Sequence, residues 1–192
     1  MPTLLHLNVA RATPVAINGR RVVTAIAKRP VEGARAVLPL GIEGDEQGDL
    51  SIHGGHSKAV YAYPSEHYPF WQTVRAQAGI ALWDEPMPPG SLGENLTIAG
   101  WLETEMWIGD VLRFPHCALA VSEPRTPCFK LDAALGFKHA GKLMAQSAWC
   151  GAYLAVREAG TIAAGESFTV EPGPRHVGIT ELFKARTRRL TS

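Results

Sequence analysis

The stretch SEPRTPCFKL, residues 122–131, sets one thiol, Cys128, among two prolines and two cations. Pro124 and Pro127 stiffen the loop by fixing φ. Arg125 and Lys130 bring positive charge close to the sulfur, and Arg125 never gives its charge up. Nearby cations favour the thiolate, which is both the nucleophile and the metal ligand. Cys128 is therefore the candidate functional cysteine. The other two stand in different company: Cys117 lies in the apolar run HCALAV and Cys150 opens another strand-like run. Both read as buried and inert.

A second stretch, EGDEQGDLSIHGGHSKAVYAYP, carries Asp45, Asp49 and the pair Gly54-Gly55, flanked by His53 and Lys58. Glycines let backbone N–H groups approach a ligand closely, so a glycine pair with cations beside it can cradle an anion. The competing reading is a plain turn. His53 and His56, with His67 further on, lack the partnering pair that a zinc site needs. In GSLGENLTIAGW, Asn95 can hydrogen-bond a polar ligand through its amide or simply cap a turn, and its chemistry alone favours the turn. Tyr61, Tyr63, Tyr68 and Trp71 can stack a planar ligand, but their spacing better suits a helix packed on a sheet.

Elements must position these groups. PVAINGRRVVTAI predicts a type I′ hairpin, because Asn18-Gly19 between two apolar runs supplies two positive φ values. ARAVL, ENLTIAG, DVLRF, CALAVSEP and CGAYLAVREAGTIAAGESFTVEP read as strands with glycine turns. YPSEHYPFWQTVRAQAG reads as a helix, with Ser65 as its N-cap, Tyr68, Trp71 and Val74 on one face, and Pro69 tolerated only near its start. FKHAGKLMAQSA offers a second short helix. VGITELFKARTRRL reads as a basic amphipathic helix docked on its own domain. Many short strands and few helices predict a mainly β fold, a distorted closed β-barrel with short helical insertions, over residues 1–173, with a helical tail over 174–192.

The 192 residues suit a single domain. Hydrophobic residues make up 46% and charged residues 19%, as in an ordinary globular protein. No apolar stretch approaches the roughly 18 residues of a membrane span, and no secretory signal opens the chain. A net charge of +1 gives no global pull towards nucleic acid or membrane, so any basic site is local. An odd cysteine count without a C-x-x-C pair points to a reducing, cytoplasmic setting.

Four stretches together resemble one family. GDEQGDLSIHGGHSKAVYAYPSEHYPFW, GSLGENLTIAG, WIGDVLRF and SEPRTPCFKL occur in the order and approximate spacing of the MOSC domain, the C-terminal domain of molybdenum cofactor sulfurases. The nearest likeness is to its stand-alone YiiM-type branch, and it runs from about Thr24 to Pro172. The resemblance implies a molybdenum cofactor, molybdopterin carrying a phosphate. It implies that Cys128 ligates the metal and that His53, Gly54, Gly55, Lys58, Asn95 and Arg125 form the cofactor site. It further implies reduction of N-hydroxylated compounds such as hydroxylaminopurines to amines. Electrons would come from a donor protein, since no G-x-G-x-x-G fingerprint for a flavin or nicotinamide is present. The same residues would serve a carrier of the cofactor, or of sulfur as a Cys128 persulfide, that turns nothing over. Nothing implies a nucleic-acid or membrane partner, and the chain could be a monomer or a homodimer. YiiM-type proteins often end in a three-helix domain; here only about twenty residues follow Pro172, room for one helix.

Overall fold

The structure, a computed structural model, describes residues 1–48 and 54–191. Strand β1 (Thr3–Val9) leads into the hairpin of β2 (Thr13–Ile17) and β3 (Arg20–Thr24). The hairpin turns where the sequence places it, with Asn18 at φ 51° and Gly19 at φ 73°. Then come β4 (Arg29–Pro30), β5 (Arg35–Leu38), β6 (Gly41–Ile42), β7 (Val60–Pro64), α1 (Tyr68–Gln77), β8 (Leu96–Ala99), β9 (Val111–Arg113) and β10 (Ala118–Pro124). The chain ends with α2 (Phe129–Leu135), α3 (Ala140–Ser147), β11 (Ala152–Glu158), β12 (Gly160–Ile162), β13 (Thr169–Glu171) and α4 (Ile179–Thr191).

The fold is mainly β with some helices, but the expected closed barrel is corrected. Eight strands form one mixed sheet in the order β13-β9-β10-β11-β7-β8-β1-β4, and β7 and β8 run parallel. Among the described residues no ladder joins its edge strands β13 and β4. β12, β5 and β6 form a separate small sheet, and the β2–β3 hairpin stands alone. One bridge, Thr3 with Ser167, brings β1 against the turn before β13, supported by Leu4 N–H to Glu166 O at 2.9 Å. Short strands and glycine turns announce strands but not which edges meet. Of the two edge strands, β13 is paired with β9 alone and β4 with β1 alone among the described residues.

The core lies against this sheet. Leu4, Leu7, Val60, Tyr63, Leu96, Ile98, Leu112, Leu119 and Leu154 are fully buried, and Trp71 of α1 packs among them. Helix α1 starts later than expected. Ser65 opens a 3-10 turn, Ser65–His67, and His67 takes the N-cap position. Pro69 falls in the first turn, where its missing N–H leaves no bond unmade. Helix α2 was not expected from the sequence: it is seven residues long and begins two residues after Pro127. α4 buries Ile179, Phe183 and Thr187 and packs on α3 and β10, as a surface helix docked on its own fold. Among the described residues no helix is long and apolar enough to cross a membrane.

Gly151, at the start of β11, has φ 63°, and a Cβ there would stand 2.3 Å from the Ala62 carbonyl oxygen of β7. Backbone cannot retreat as a side-chain tip can. Gly165→Ala tests the φ penalty alone, since its φ is 90° and nothing lies within 4 Å. We expect Gly151→Ala to cost about 3 kcal/mol or more in urea unfolding, and Gly165→Ala about 1–2. Equal losses would mean that β7 and β11 yield freely at this contact.

Candidate functional site

One cleft gathers most of the residues singled out by the sequence. Lys58, Asn95, Arg125 and Cys128 all line it, together with Lys28, Asp45, Tyr61, Lys130 and Tyr153. Its floor is made by β7 and β11. Tyr61 and Tyr153 are direct register partners there, and their ring centroids lie 5.4 Å apart. One wall is the end of β10 and the start of α2. Cys128 holds the N-cap position of α2, half-buried, and its carbonyl accepts the Leu131 N–H at 2.9 Å.

Arg125 is 5% exposed. Among the described residues no carboxylate pairs with it. Its guanidinium touches the Met144 sulfur at 3.5 Å and lies over the Tyr61 ring at 5.4 Å. Burial opposes its charge, but Tyr61, Tyr153 and Cys128 outweigh that, and its pKa stays above the ordinary value. The Lys58 ammonium sits 6.0 Å over the Tyr153 ring. Lys130, 8% exposed, lines the same space. Arg125, buried with no carboxylate beside it among the described residues, makes this end of the cleft a place for an anion.

The other wall is a polar lattice. Asn95 spends its whole amide inside the protein. Its Oδ1 accepts the Tyr61 N–H at 3.1 Å, and its Nδ2 donates to Asn8 O at 3.2 Å and to Asp45 Oδ2 at 2.8 Å. Asp45 also accepts the Ala10 N–H at 2.8 Å and pairs with the Lys28 ammonium. Gln47 donates to Leu40 O at 2.8 Å and accepts the Gly55 N–H at 2.9 Å. Of the proposed glycine cradle, then, Gly55 has already spent its N–H, and neither Gly54 nor Gly55 lines the cleft. His53 and Asp49 lie outside the described residues. The segment carrying Lys28 lies close on the glycine-rich stretch before β8: a Cβ on Gly90 would meet Lys28 O at 2.7 Å.

Glu94 is fully buried and anchors that stretch. Its carboxylate accepts from Gly90 N–H at 2.7 Å, Leu92 N–H at 3.1 Å, the Thr97 hydroxyl at 3.0 Å and the Tyr68 hydroxyl. Burial raises its pKa, and these donors only partly offset that. The remaining candidates lie elsewhere. Tyr63, Tyr68 and Trp71 are packing, with Trp71 Nε1 donating to the Tyr63 hydroxyl at 2.7 Å. His56 faces Pro39 O at 3.2 Å, while His67 pairs with Glu103 at 2.8 Å and stacks on Trp149. Cys117 is pushed up to about 12 by burial and by Glu166, and burial raises Cys150 well above the usual thiol range. Both stay protonated.

Lys28 and Tyr153 are missing from the site list drawn from the sequence. Lys28 ends an apolar run and shows no local signal. Tyr153 sits on an alternating strand, where only its pairing with Tyr61 reveals that it faces the cleft.

The family model of the MOSC domain matches residues 49–169. The chain is 37% identical to the uncharacterized protein YflK of Bacillus subtilis over 85% of this chain and 70% of that one. It is 33% identical to protein YiiM of Escherichia coli over 73% of this chain and 61% of that one. A protein of Gibberella moniliformis named "Reductase" is 30% identical over 89% of this chain, which spans only 29% of that protein. The crystal structure of YiiM from Geobacillus stearothermophilus superposes with a TM-score of 0.72 at 27% identity, over 99% of this chain and 84% of that one.

The raised carboxyl of Glu94 has a consequence for stability. The unfolded chain loses this proton at the ordinary carboxylate value and the folded chain only at a higher pH. Between the two values the fold binds the extra proton, so stability falls as pH rises through that window. Glu94→Gln should lower stability by about 2 kcal/mol, because an amide NH2 meets donors where an oxygen accepted them. It should also flatten this slope. Parallel wild-type and variant profiles of unfolding free energy against pH would show that Glu94 is not the titrating group.

Proposed function

The chain belongs to the MOSC domain family, and from that membership we propose that its cleft binds molybdenum cofactor and reduces N-hydroxylated compounds, hydroxylaminopurines among them, to amines. The single observation that carries the cofactor assignment is Arg125: a buried guanidinium with rings and a sulfur for neighbours, and no acid among the described residues. Such a group is costly unless an anion completes it. The pterin phosphate is that anion, with Arg125, Lys58 and Lys130 as the side chains that face it. The His53 side chain and the Gly54-Gly55 backbone, which the resemblance also assigns to the cofactor, remain part of the proposal.

Cys128 supplies the soft donor that molybdenum takes, at the cleft wall rather than in the core. Bound there, the cofactor would supply a two-electron redox centre. Asn95 acts from behind: it fixes Asp45 and the Tyr61 backbone, and so the shape of the wall. Tyr61 and Tyr153 form an apolar floor that holds water away from the charged end. The name "Reductase" of the fungal relative supports the reaction class. Electrons come from a separate donor protein, and free thiols suit a reducing cytoplasm.

Protein made in a cofactor-producing host tests this through its molybdenum and pterin content. Cys128→Ser should lose at least about tenfold in bound molybdenum while keeping its unfolding free energy within about 1 kcal/mol. Unchanged metal would remove the ligand role. Metal absent from the wild type, with a persulfide on Cys128, would favour the sulfur carrier. Arg125→Ala should weaken cofactor retention, and the remaining affinity should depend less on salt than that of the wild type, because one charge facing phosphate is gone. An unchanged salt dependence would assign Arg125 to packing.

A further inference from the structure

We infer that Lys28 is the proton donor of the cleft, with Asp45 as the residue that positions it. The inference rests on the reduction proposed above and extends it to the protons that reaction consumes. Converting R–NH–OH to R–NH2 takes two electrons and two protons and releases water. The electrons come from the donor protein. As the N–O bond breaks, its oxygen would leave as hydroxide unless an acid protonates it. A positioned acid avoids that cost.

Few described groups in the cleft can serve. Arg125 keeps its protons, and Lys58 and Lys130 are the side chains assigned above to the phosphate. Tyr61 and Tyr153 are pushed up by burial and become poorer acids. Both oxygens of Asp45 are already filled, by Ala10 N–H, Asn95 and Lys28. The Cys128 sulfur is committed to the metal.

Lys28 differs from all of these. It is 6% exposed and lines the cleft. Among the described residues its ammonium pairs with Asp45 alone, which leaves two N–H bonds for a ligand. Asp45 cannot turn away, because Ala10 N–H and Asn95 Nδ2 hold it at 2.8 Å each. Burial lowers the Lys28 pKa, while Asp45 and, more weakly, Glu94 draw it back up. Held in its ion pair with Asp45, the ammonium releases a proton more readily than an exposed lysine would. In the step, Lys28 Nζ gives a proton to the departing oxygen, the N–O bond breaks, and water leaves. The nitrogen takes the second proton from solvent, and the neutral Lys28 amine then recovers its own from solvent.

The test uses Lys28→Arg, which keeps the ion pair with Asp45 but holds its proton far more tightly, and Lys28→Met as a second variant. Titration of apo-protein carrying 13C-lysine, read at Cε, should give Lys28 a midpoint below that of the exposed lysines, and Asp45→Asn should lower it further. With methyl viologen as a small chemical reductant and 6-hydroxylaminopurine as substrate, cofactor-loaded Lys28→Arg should retain its molybdenum. It should lose about 100-fold in kcat, with little change in KM and with the alkaline limb of the kcat–pH profile displaced. Full turnover by a loaded Lys28→Arg protein, or a Cε midpoint level with the exposed lysines, would overturn this inference alone. A loaded wild type that reduces nothing would overturn the reading of function and this inference with it.

Discussion

The asparagine amide of Asn95 holds together what would otherwise be three loose segments. It joins the end of β1 at Asn8, the start of β7 at Tyr61 and the loop at Asp45. Its backbone adds two more ties, accepting the Asn8 N–H at 2.7 Å and donating to Tyr61 O at 2.8 Å. The parallel pairing of β7 and β8 begins just beyond it, at Ala62 with Leu96. Asn8, Tyr61 and Asn95 are buried and Asp45 is half-buried, so a bond lost among them would leave a partner unpaired where little water can replace it. The lattice is why Lys28 stands at the cleft wall instead of reaching into water. Glu94, one residue earlier, does the same for the glycine turn against which the Lys28 backbone rests.

The cleft therefore has two kinds of wall. Acids and amides on one side are saturated by the fold and serve it. On the other side Arg125 meets rings and a sulfur, and no acid among the described residues. The three cysteines divide along the same line. Cys117 and Cys150 carry the same sulfur as Cys128, but burial holds their protons on. Cys128 alone of the three opens a helix beside the cations. Environment, and not residue type, separates a nucleophile or ligand from a core filler.

Much of this was legible in the chain. Asn18-Gly19 fixed a hairpin because only that turn type takes two positive φ values. The prolines and cations beside Cys128 marked, through local sequence alone, the one of the three cysteines that lines the cleft. What was not legible depends on contacts distant in sequence. Lys28 gains its role from Asp45, which no spacing rule connects to it. Tyr153 gains its place from the register of β11 on β7. Closure of the sheet failed as an expectation for the same reason: alternation and glycine turns report strands one at a time, while the pairing of edges is decided by strand length and twist across the whole molecule.

The electrostatics of the cleft also set a direction for its thermodynamics. A guanidinium at 5% exposure, beside Tyr61 and Met144, has lost most of its hydration and gained no acid among the described residues in return. The folded protein bears that cost in the absence of a ligand. An anion that meets Arg125 restores the lost interactions and binds only the folded chain, so its free energy of binding adds directly to stability. The same residue thus makes the free protein less stable and the occupied one more so. Replacing Arg125 with an apolar side chain of similar volume would relieve the first effect and abolish the second. A stable protein without the cation would be easier to build than this one, but its cleft would have lost its most deeply buried positive charge.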